Sequence, residues 1–305
     1  MVPTYNRKDP LAGCLAALLR QTFPLDEILV VDNASTDGTA DMIHRTFRER
    51  VTVQRLPRNT GSAGGFYEGI RIACAKGYDW VWCMDNDAEA APDSLEALTA
   101  SPKFRDPEVG AVAALVVDQD SKVQAMHHKR RVMPFEAAAF TGGQGDNREA
   151  IPLAANGWAG VLIRRSAIEA AGLPRREFFV FFEDTEYTYR ISREFKIFLI
   201  PRSRVLHKSD ARWVKKIGGG RVESPRWPSD QPWRLYYDVR NRFFFVTRQA
   251  KPWGLVFVAP LLLARKLAGI ILFDDHKLKR MGVMMRGLRD AVMGRLEAAP
   301  AFKKW

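Results

Sequence analysis

Two carboxylates two residues apart, Asp85 and Asp87 of the triplet Asp85-Asn86-Asp87, follow the apolar run Trp80-Val81-Trp82-Cys83-Met84. A buried strand that releases hard oxygen ligands at its C-terminal edge places them where an open α/β sheet binds its ligands. The chemistry they suit is holding a divalent metal against a diphosphate, although the same spacing also occurs in plain surface loops. A second acidic group, Glu183-Asp184-Thr185-Glu186, follows the aromatic run Phe178-Phe179-Val180-Phe181-Phe182 and reads as the start of a helix. Carboxylates there complement the helix dipole, or one of them at the mouth of a pocket takes a proton from an attacking hydroxyl. His207, after Val205-Leu206, is either a metal ligand or a structural histidine.

These groups need a scaffold, and residues 1–120 supply an alternation of strands and helices. Asp9 caps a helix with Pro10 in its first position, and Leu11, Cys14, Leu15, Leu18 and Leu19 fall on one face of it. Glu27–Val31, ending at Asp32, Val51–Leu56, Trp80–Met84 and Val109–Val117 read as strands, with Thr36–Phe47 and Ser62–Lys76 as helices between them. That order implies a largely parallel sheet covered on both faces. Only Met1-Val2 precede the Pro3-Thr4-Tyr5 turn, so the first central strand is expected to be a stub, as from a start placed too late.

Pro3–Arg7 and Asp32–Asp37 follow adjacent strands and should meet at the carboxyl edge, where a base and ribose fit. Asp32 can accept from a pyrimidine N3–H, or it belongs to a helix-capping cluster with Asn33, Ser35 and Asp37. The stretch Asn59-Thr60-Gly61-Ser62-Ala63-Gly64-Gly65-Phe66 is glycine-rich without dinucleotide-fold spacing. Its glycines either admit backbone to a sugar or diphosphate, or let the helix pack closely.

Charge is segregated. Residues 1–200 hold 24 Lys/Arg against 27 Asp/Glu and residues 201–305 hold 23 against 8, so the last third alone carries the excess. A basic block suits nucleic acid or an anionic membrane surface. The apolar run from Trp253 to Ala264, broken by Arg265-Lys266 before Leu267–Phe273, favours the membrane, as an interfacial or re-entrant segment rather than a span. Lys277–Lys304 mixes apolar and basic residues at helical spacing, fit to lie on anionic lipid or to join a homo-oligomer. The three cysteines are far apart in apolar stretches, which points to reduced thiols in the cytoplasm.

Together Pro3-Thr4-Tyr5-Asn6-Arg7, Val30–Thr39, Asn59-Thr60-Gly61, Asp85-Asn86-Asp87, Leu162-Ile163-Arg164-Arg165 and Phe178–Arg190 resemble family 2 glycosyltransferases of the GT-A fold, over about two-thirds of the chain. The resemblance implies an α/β fold, a Rossmann-like, mixed and mostly parallel sheet between helices, with a basic helical C-terminal extension. It implies a catalytic domain over 1–210, nucleotide-binding in 1–118 and acceptor-binding in 119–210, followed by a membrane-associating region over 211–305. Pro3, Thr4, Asn6, Arg7, Asp32, Asn33, Ser35, Asn59, Gly61, Gly65 and Asp85 would bind the nucleotide-sugar donor. Asp85 and Asp87 would hold Mn²⁺ or Mg²⁺, and Asp184 would be the general base of an inverting transfer.

Within the family, Gly64-Gly65-Phe66 and His207 look most like bacterial galactofuranosyltransferases, where the counterpart of His207 is a third metal ligand. Leu235–Arg242 resembles a segment of galactofuranosyl- and rhamnosyltransferases that would position a lipid-linked glycan acceptor. Asn86 stands where Asp is more usual, Glu183 where Asp is frequent, and the Q-x-x-R-W signature of processive synthases is not found. Trp158 and Glu183 are expected at the acceptor site, Trp158 as a stacking floor or as core. Gly218-Gly219-Gly220, with Trp227 and Trp233, suggests a loop that closes over the site. The implied donor is UDP-galactofuranose, or else dTDP-rhamnose. A sugar-phosphate nucleotidyltransferase would need an early glycine-rich loop with a catalytic Arg or Lys, which Pro3–Asp9 does not supply. A nucleic-acid-binding adaptor is the remaining class, and the expectation is no nucleic-acid partner.

Overall fold

The computed structural model describes residues 1–131, 138–139, 148–208, 213–217, 222–226, 231–248 and 254–296. The chain divides into two compact units, one holding most of residues 1–208 and the other most of Ser209–Trp305 together with Val180–Phe182.

The first unit opens with the expected alternation: β1 (Val2–Thr4), α1 (Lys8–Leu18), β2 (Leu29–Asp32), α2 (Thr39–Thr46), β3 (Thr52–Arg55), α3 (Gly61–Ala75) and β4 (Trp80–Cys83). Strands β1, β2 and β3 pair in parallel, with Thr4 opposite Asp32 and Asp32 opposite Arg55. Met1 carries the ladder on to β4. Its amino group donates to the Trp82 carbonyl at 2.6 Å, and the Met84 amide donates to the Met1 carbonyl at 3.1 Å. Burial lowers the pKa of that amino group.

Next come β5 (Ala88–Ala90), α4 (Ser94–Ala100), α5 (Pro102–Arg105), β6 (Val109–Val117), β7 (His128–Arg131), β8 (Ala138–Ala139), β9 (Ile151–Leu153), β10 (Ala155–Asn156), β11 (Val161–Arg164), α6 (Arg165–Ala171), α7 (Glu183–Ile191) and β12 (Lys196–His207). They extend the sheet in the order β4-β11-β6-β12-β5, with β9 beside β12. Strand β11 runs antiparallel to both neighbours, whereas β6 and β12 are parallel. The sheet is therefore mixed, with a parallel block at the end that carries the first loops.

Alternation along the strands builds a core on each face. Trp82, Val112, Ala114 and Val116 point to the cluster containing Leu11, Cys14, Leu15 and Leu18 of α1. Val81, Cys83, Ala111, Ala113 and Leu115 point to the cluster with Phe66 and Ile70 of α3, Ile168 of α6 and Tyr187 of α7. The amphipathic face read for the first helix is buried at Leu11, Cys14, Leu15 and Leu18, while Leu19, at the C-cap, is only half-buried. Cys14 and Cys83 are buried free thiols and Cys74 is a half-buried one.

The second unit holds a two-stranded antiparallel ribbon, β13 (Trp213–Ile217) and β14 (Val222–Arg226), and three helices, α8 (Pro232–Arg248), α9 (Ala259–Phe273) and α10 (Lys277–Val292). The Leu235–Arg242 stretch, expected to position an acceptor, is instead interior to this unit. Its residues Leu235–Asn241 are all buried, because Asp238 pairs with Arg242 and Lys266, the Tyr236 hydroxyl donates to Asp290, and Arg240 donates to the Leu296 carbonyl.

Val256–Phe273 is long and apolar enough to cross a membrane by length and composition, with a mean hydropathy of 2.1, and little of it is buried. Lys266, one of the two charges that interrupt it, is the partner of Asp238. Gly218-Gly219-Gly220, Trp227 and Trp253 lie outside the described residues, as does the tail beyond residue 296.

Candidate active site

Short side-chain to backbone hydrogen bonds tie together the loops that leave β1, β2 and β4. Asn6, at a positive φ of 51°, donates its amide to Ser35 Oγ (3.0 Å) and accepts from the Thr36 amide through Oδ1 (2.7 Å). Asn33 Oδ1 accepts from the Thr60 amide (3.1 Å) and hydroxyl (2.7 Å), and Asn59 Oδ1 accepts from the Gly61 amide (2.8 Å). Asn86 Nδ2 donates to the Pro3 carbonyl at 3.2 Å, across 83 residues of chain. Pro3, Thr4, Asn6, Arg7, Asp32, Asn33, Ser35, Asn59, Gly61, Gly65 and Asp85 are thus brought into one neighbourhood.

The glycines do a packing job there. A Cβ on Gly65 would lie 2.5 Å from Pro3 Cβ and 2.8 Å from Asn33 Nδ2, so α3 can approach both loops only without a side chain. Gly61 sits at a φ of +74°, and a side chain on it would strike the Phe179 carbonyl. Of the two uses read for these glycines, close packing is the one the structure displays.

At the ends of β1 and β2, Thr4 and Asp32 are ladder neighbours with polar atoms to spare. Asp32 Oδ1 accepts from the Ser35 amide at 2.9 Å, which is the capping contact. Asp32 Oδ2 and Thr4 Oγ1 are buried without a hydrogen-bond partner, and Arg55 Nη1 stands 3.6 Å from Asp32 Oδ2. A buried orphan acceptor beside an orphan hydroxyl is costly unless something polar satisfies them.

Asp85, Asp87 and His207 converge at the adjoining strand ends. His207 Nε2 lies 3.2 Å from Asp87 Oδ1 and 3.9 Å from Asp85 Oδ2, and Arg7 Nη2 lies 3.1 Å from Asp87 Oδ2. Burial opposes ionisation of Asp87, yet the hydrogen bond and charge of His207 and the charge of Arg7 hold its carboxyl below the ordinary range. Burial pushes Asp85 up to about 7; His207 opposes the rise, and Asp87 and Asp184 add to it.

Donor atoms separated by about 3 Å are what neighbouring positions on one divalent ion with bonds of about 2.1 Å require. Two carboxylates and an imidazole, with negative charge in excess, suit such an ion in kind; the Asp87–His207 pair has that spacing at 3.2 Å, whereas Asp85 lies wider at 3.9 Å. Among the described residues no group of three or more His, Cys, Asp or Glu side chains is placed to hold a metal ion as it stands. Arg7 is paired with one Asp87 oxygen, Oδ2, while the other, Oδ1, is the one beside His207.

The aromatic run ahead of α7 is not a strand: Phe179, Phe181 and Phe182 have φ of 63°, 67° and 69°, a region that bulky residues rarely adopt. It delivers Asp184 with its orientation fixed. Asp184 Oδ1 accepts from the Thr185 amide (2.5 Å) and hydroxyl (3.0 Å), and Lys129 Nζ bonds that same hydroxyl oxygen. The other oxygen, Oδ2, faces Gly157. The charge of Asp184 bears on both Asp85 and Glu183, so the acidic clusters share one electrostatic neighbourhood.

Two residues expected at the acceptor site fall elsewhere. Trp158 is core, stacked on Phe66 with ring centroids 4.2 Å apart and tilted against Tyr187, so its indole face is already covered. Glu183 is 5% exposed and bonds the Ser62 hydroxyl; burial, then the charge of Asp184, pushes its carboxyl up to about 8. The sequence reading missed His127, whose ring meets His207 edge-on at 4.9 Å, as well as Lys129 and Ser62. The doublet His127-His128, in a chain with five histidines, was the available signal.

Residues 1–172 match the family described as "Glycosyl transferase family 2". Galactofuranosyltransferase GlfT1 of Mycobacterium tuberculosis is 30% identical over 258 residues, covering 81% of each chain. The dTDP-rhamnosyl transferase RfbF of Shigella flexneri is 25% identical, over 74% of this chain and 72% of its own length. Among solved structures, the mannosyltransferase PcManGT from Pyrobaculum calidifontis, in complex with GDP-Man and Mn²⁺, superposes with a TM-score of 0.54 at 17% identity, covering 97% of this chain and 85% of its own.

Proposed function

This chain belongs to glycosyl transferase family 2, and we propose that it moves galactofuranose from UDP-galactofuranose onto a polyprenyl-diphosphate-linked glycan, by inversion and with a divalent metal. The observation that carries the transfer chemistry is the meeting of three acidic positions. Asp32 has an unsatisfied buried oxygen, Asp85 and Asp87 sit beside His207, and Asp184 lies within electrostatic reach of Asp85. The donor is inferred from the 30%-identical galactofuranosyltransferase; the 25%-identical rhamnosyl transferase makes dTDP-rhamnose the second candidate.

Asp32 Oδ2 accepts from the N3–H of a uracil or thymine, a donor that cytosine lacks, and Thr4 Oγ1 pairs with a neighbouring polar atom of the ring. Asp85, Asp87 and His207 would hold the Mn²⁺ or Mg²⁺. That ion, when bound, supplies positive charge to the departing nucleoside diphosphate. Asp184 Oδ2 takes the proton of the acceptor hydroxyl as its oxygen attacks the anomeric carbon from the side opposite the diphosphate, while Thr185 holds Oδ1 still.

The second unit supports a place on the inner face of the plasma membrane. Leu278, Met285 and Val292 recur every seven residues on α10 with exposures of 84%, 52% and 56%, among Lys277, Lys279, Arg286 and Arg289. An apolar stripe flanked by cations suits an anionic lipid surface.

A panel of nucleotide sugars with Mn²⁺ and a synthetic polyprenyl-diphosphate glycan, read by mass spectrometry, tests the whole reading. One added furanose-ring hexose from UDP-galactofuranose is expected. Turnover of dTDP-rhamnose alone would replace the donor, and no transfer from any nucleotide sugar would sink the assignment.

A further inference from the structure

The segment that runs past His207 and Asp184 carries a side chain, His127, that no part of the mechanism above uses. The amide of Gly157 donates to the His127 carbonyl at 2.8 Å, continuing the antiparallel pairing in which Asn156 lies opposite His128 and Ala155 opposite Lys129. His128 is buried and locked, with its Nε2 accepting from the Val116 amide at 3.0 Å and its Nδ1 bonded to Asn156 Oδ1 at 2.7 Å. Neighbours along an extended segment point to opposite faces. Lys129 therefore turns to the other side, where it meets Thr185, and His127 ends the 3-10 turn Ala125–His127 that leads into the strand.

The ring of His127 rests where a side chain on residue 157 would be. A Cβ on Gly157 would lie 2.7 Å from His127 Nδ1 and 3.5 Å from Asp184 Oδ2. His127 Nδ1 and the Oδ2 oxygen of the base thus both lie within contact distance of that one position. The His127 ring also meets the His207 ring, edge to face, at 4.9 Å. His127 consequently spans from the residue set that would hold the diphosphate to the carboxylate that would receive the acceptor proton. The carbon under attack must lie between those two groups, since leaving group and nucleophile approach it from opposite sides.

We propose that His127 lies against the transferred sugar and fixes its orientation through a hydrogen bond between imidazole and a sugar hydroxyl, making it a specificity-determining residue. This deepens the transferase reading and rests on it. The role needs only the hydrogen-bonding edge of the ring. Gly157 belongs to the same device, because only a residue without a side chain leaves the ring its seat.

The test compares wild type with H127F, H127N and G157A. Each is titrated calorimetrically with UDP and with UDP-galactofuranose, assayed with the polyprenyl-linked glycan for kcat and KM, and checked by thermal melting. Phenylalanine keeps the edge packing against His207 and loses the hydrogen bond; asparagine returns a polar group near Nδ1; alanine at 157 displaces the ring without altering it. In H127F the advantage of UDP-galactofuranose over bare UDP should vanish and kcat/KM should fall about 30-fold, as for loss of one well-placed polar contact, with UDP affinity and melting little changed. G157A should follow in the same direction, and H127N should recover part of the loss.

H127F indistinguishable from wild type in both the affinity ratio and kcat/KM would overturn the role of His127 and leave the transferase intact. A wild type that binds neither UDP nor any nucleotide sugar would overturn the transferase reading, and this inference with it. Should the single substitutions at 127 fail to fold, G157A decides alone: unchanged sugar affinity and turnover in a folded G157A would reject the proposal.

Discussion

Buried acids of the helical unit are answered by cations, as Glu186 of the sheet unit is by Arg175 and Arg190, whereas Asp85 and Glu183 beside the site are left short of them. In the helical unit Asp238 is buried yet answered on both oxygens, by Arg242 at 2.7 Å and by Lys266; although burial works against it, those cations hold its pKa well below the ordinary range. Asp290 is likewise held down against burial by Tyr236 and Arg289. In the sheet unit burial pushes Asp85 up to about 7 and Glu183 up to about 8, each with a further carboxylate nearby. Buried charge that is fully paired is scaffold. Buried acid that is left short of compensation is where a cation, a proton or a substrate has still to arrive.

The largest effect that would sharpen this contrast is on turnover. Asp184→Asn removes the proton acceptor without removing the shape, and kcat should fall by about 10²- to 10⁴-fold, with UDP affinity nearly unchanged by calorimetry. Wild-type turnover in the mutant would reject the base assignment.

Next is stability in the helical unit. Asp238→Ala leaves Lys266 and Arg242 without their shared partner, and because both cations are about a third exposed and can turn to water, the cost should be about 1 to 3 kcal/mol in denaturant unfolding. A loss near zero would remove the contrast between the two regions.

The sheet unit should respond to pH on both sides. His128 is held neutral, with burial pushing it down to about 4 against the hydrogen bond it donates to Asn156 Oδ1. Its pKa is lower in the folded than in the unfolded state, so its contribution is whole above about pH 6.5 and is lost as pH falls toward 4, by about 3 kcal/mol. Unfolding free energies of wild type and His128→Asn across that window give the difference directly.

Glu183 runs the other way. Its folded pKa is raised, so its contribution is whole below about pH 4.5 and fades as pH rises through 8. Glu183→Gln should therefore gain on wild type as pH rises from 5 to 9; an advantage for wild type at pH 9 would show that the carboxylate is compensated after all.

The smallest effect concerns lipid. Leu278→Asp, at an exposed position, should lower sedimentation with phosphatidylserine vesicles about tenfold while leaving melting and transfer to a soluble acceptor unchanged. Unchanged vesicle binding would assign the stripe to something other than the membrane.

Much of the sheet unit was readable in advance because its signals are short-ranged. Val109–Val117 is fully buried over its whole length, and a nine-residue apolar stretch without a break can only be a central strand. The other strands and α2 came out shorter than their sequence signals by one to a few residues, since Leu56, Met84 and Thr36 belong to loops at the carboxyl edge, while α3 keeps its length and starts one residue earlier. The site was legible as a set of residue types. It was not legible in its back wall: Trp158 and Glu183 have polar atoms that suggest exposure, and both are inside because Phe66 and Ser62 of α3 come to meet them. Leu235–Arg242 misled for the same reason, since its charges look solvated until their partners, residues away at Lys266 and Asp290, are in place.

The sequence by itself determined the order of strands and helices, the carboxylates at strand ends, and the gathering of positive charge in the last third. Periodicity, turn residues and charge counts all act within a window of the chain, so no partner from afar is needed to read them. Only the tertiary structure decided that Asp184 lies within the field of Asp85, that Asn86 reaches Pro3, and that His127 and Gly157 share one space. Those meetings depend on strand order and register in a sheet that joins residues scores of positions apart, and local pattern carries no information about which strand will be the neighbour.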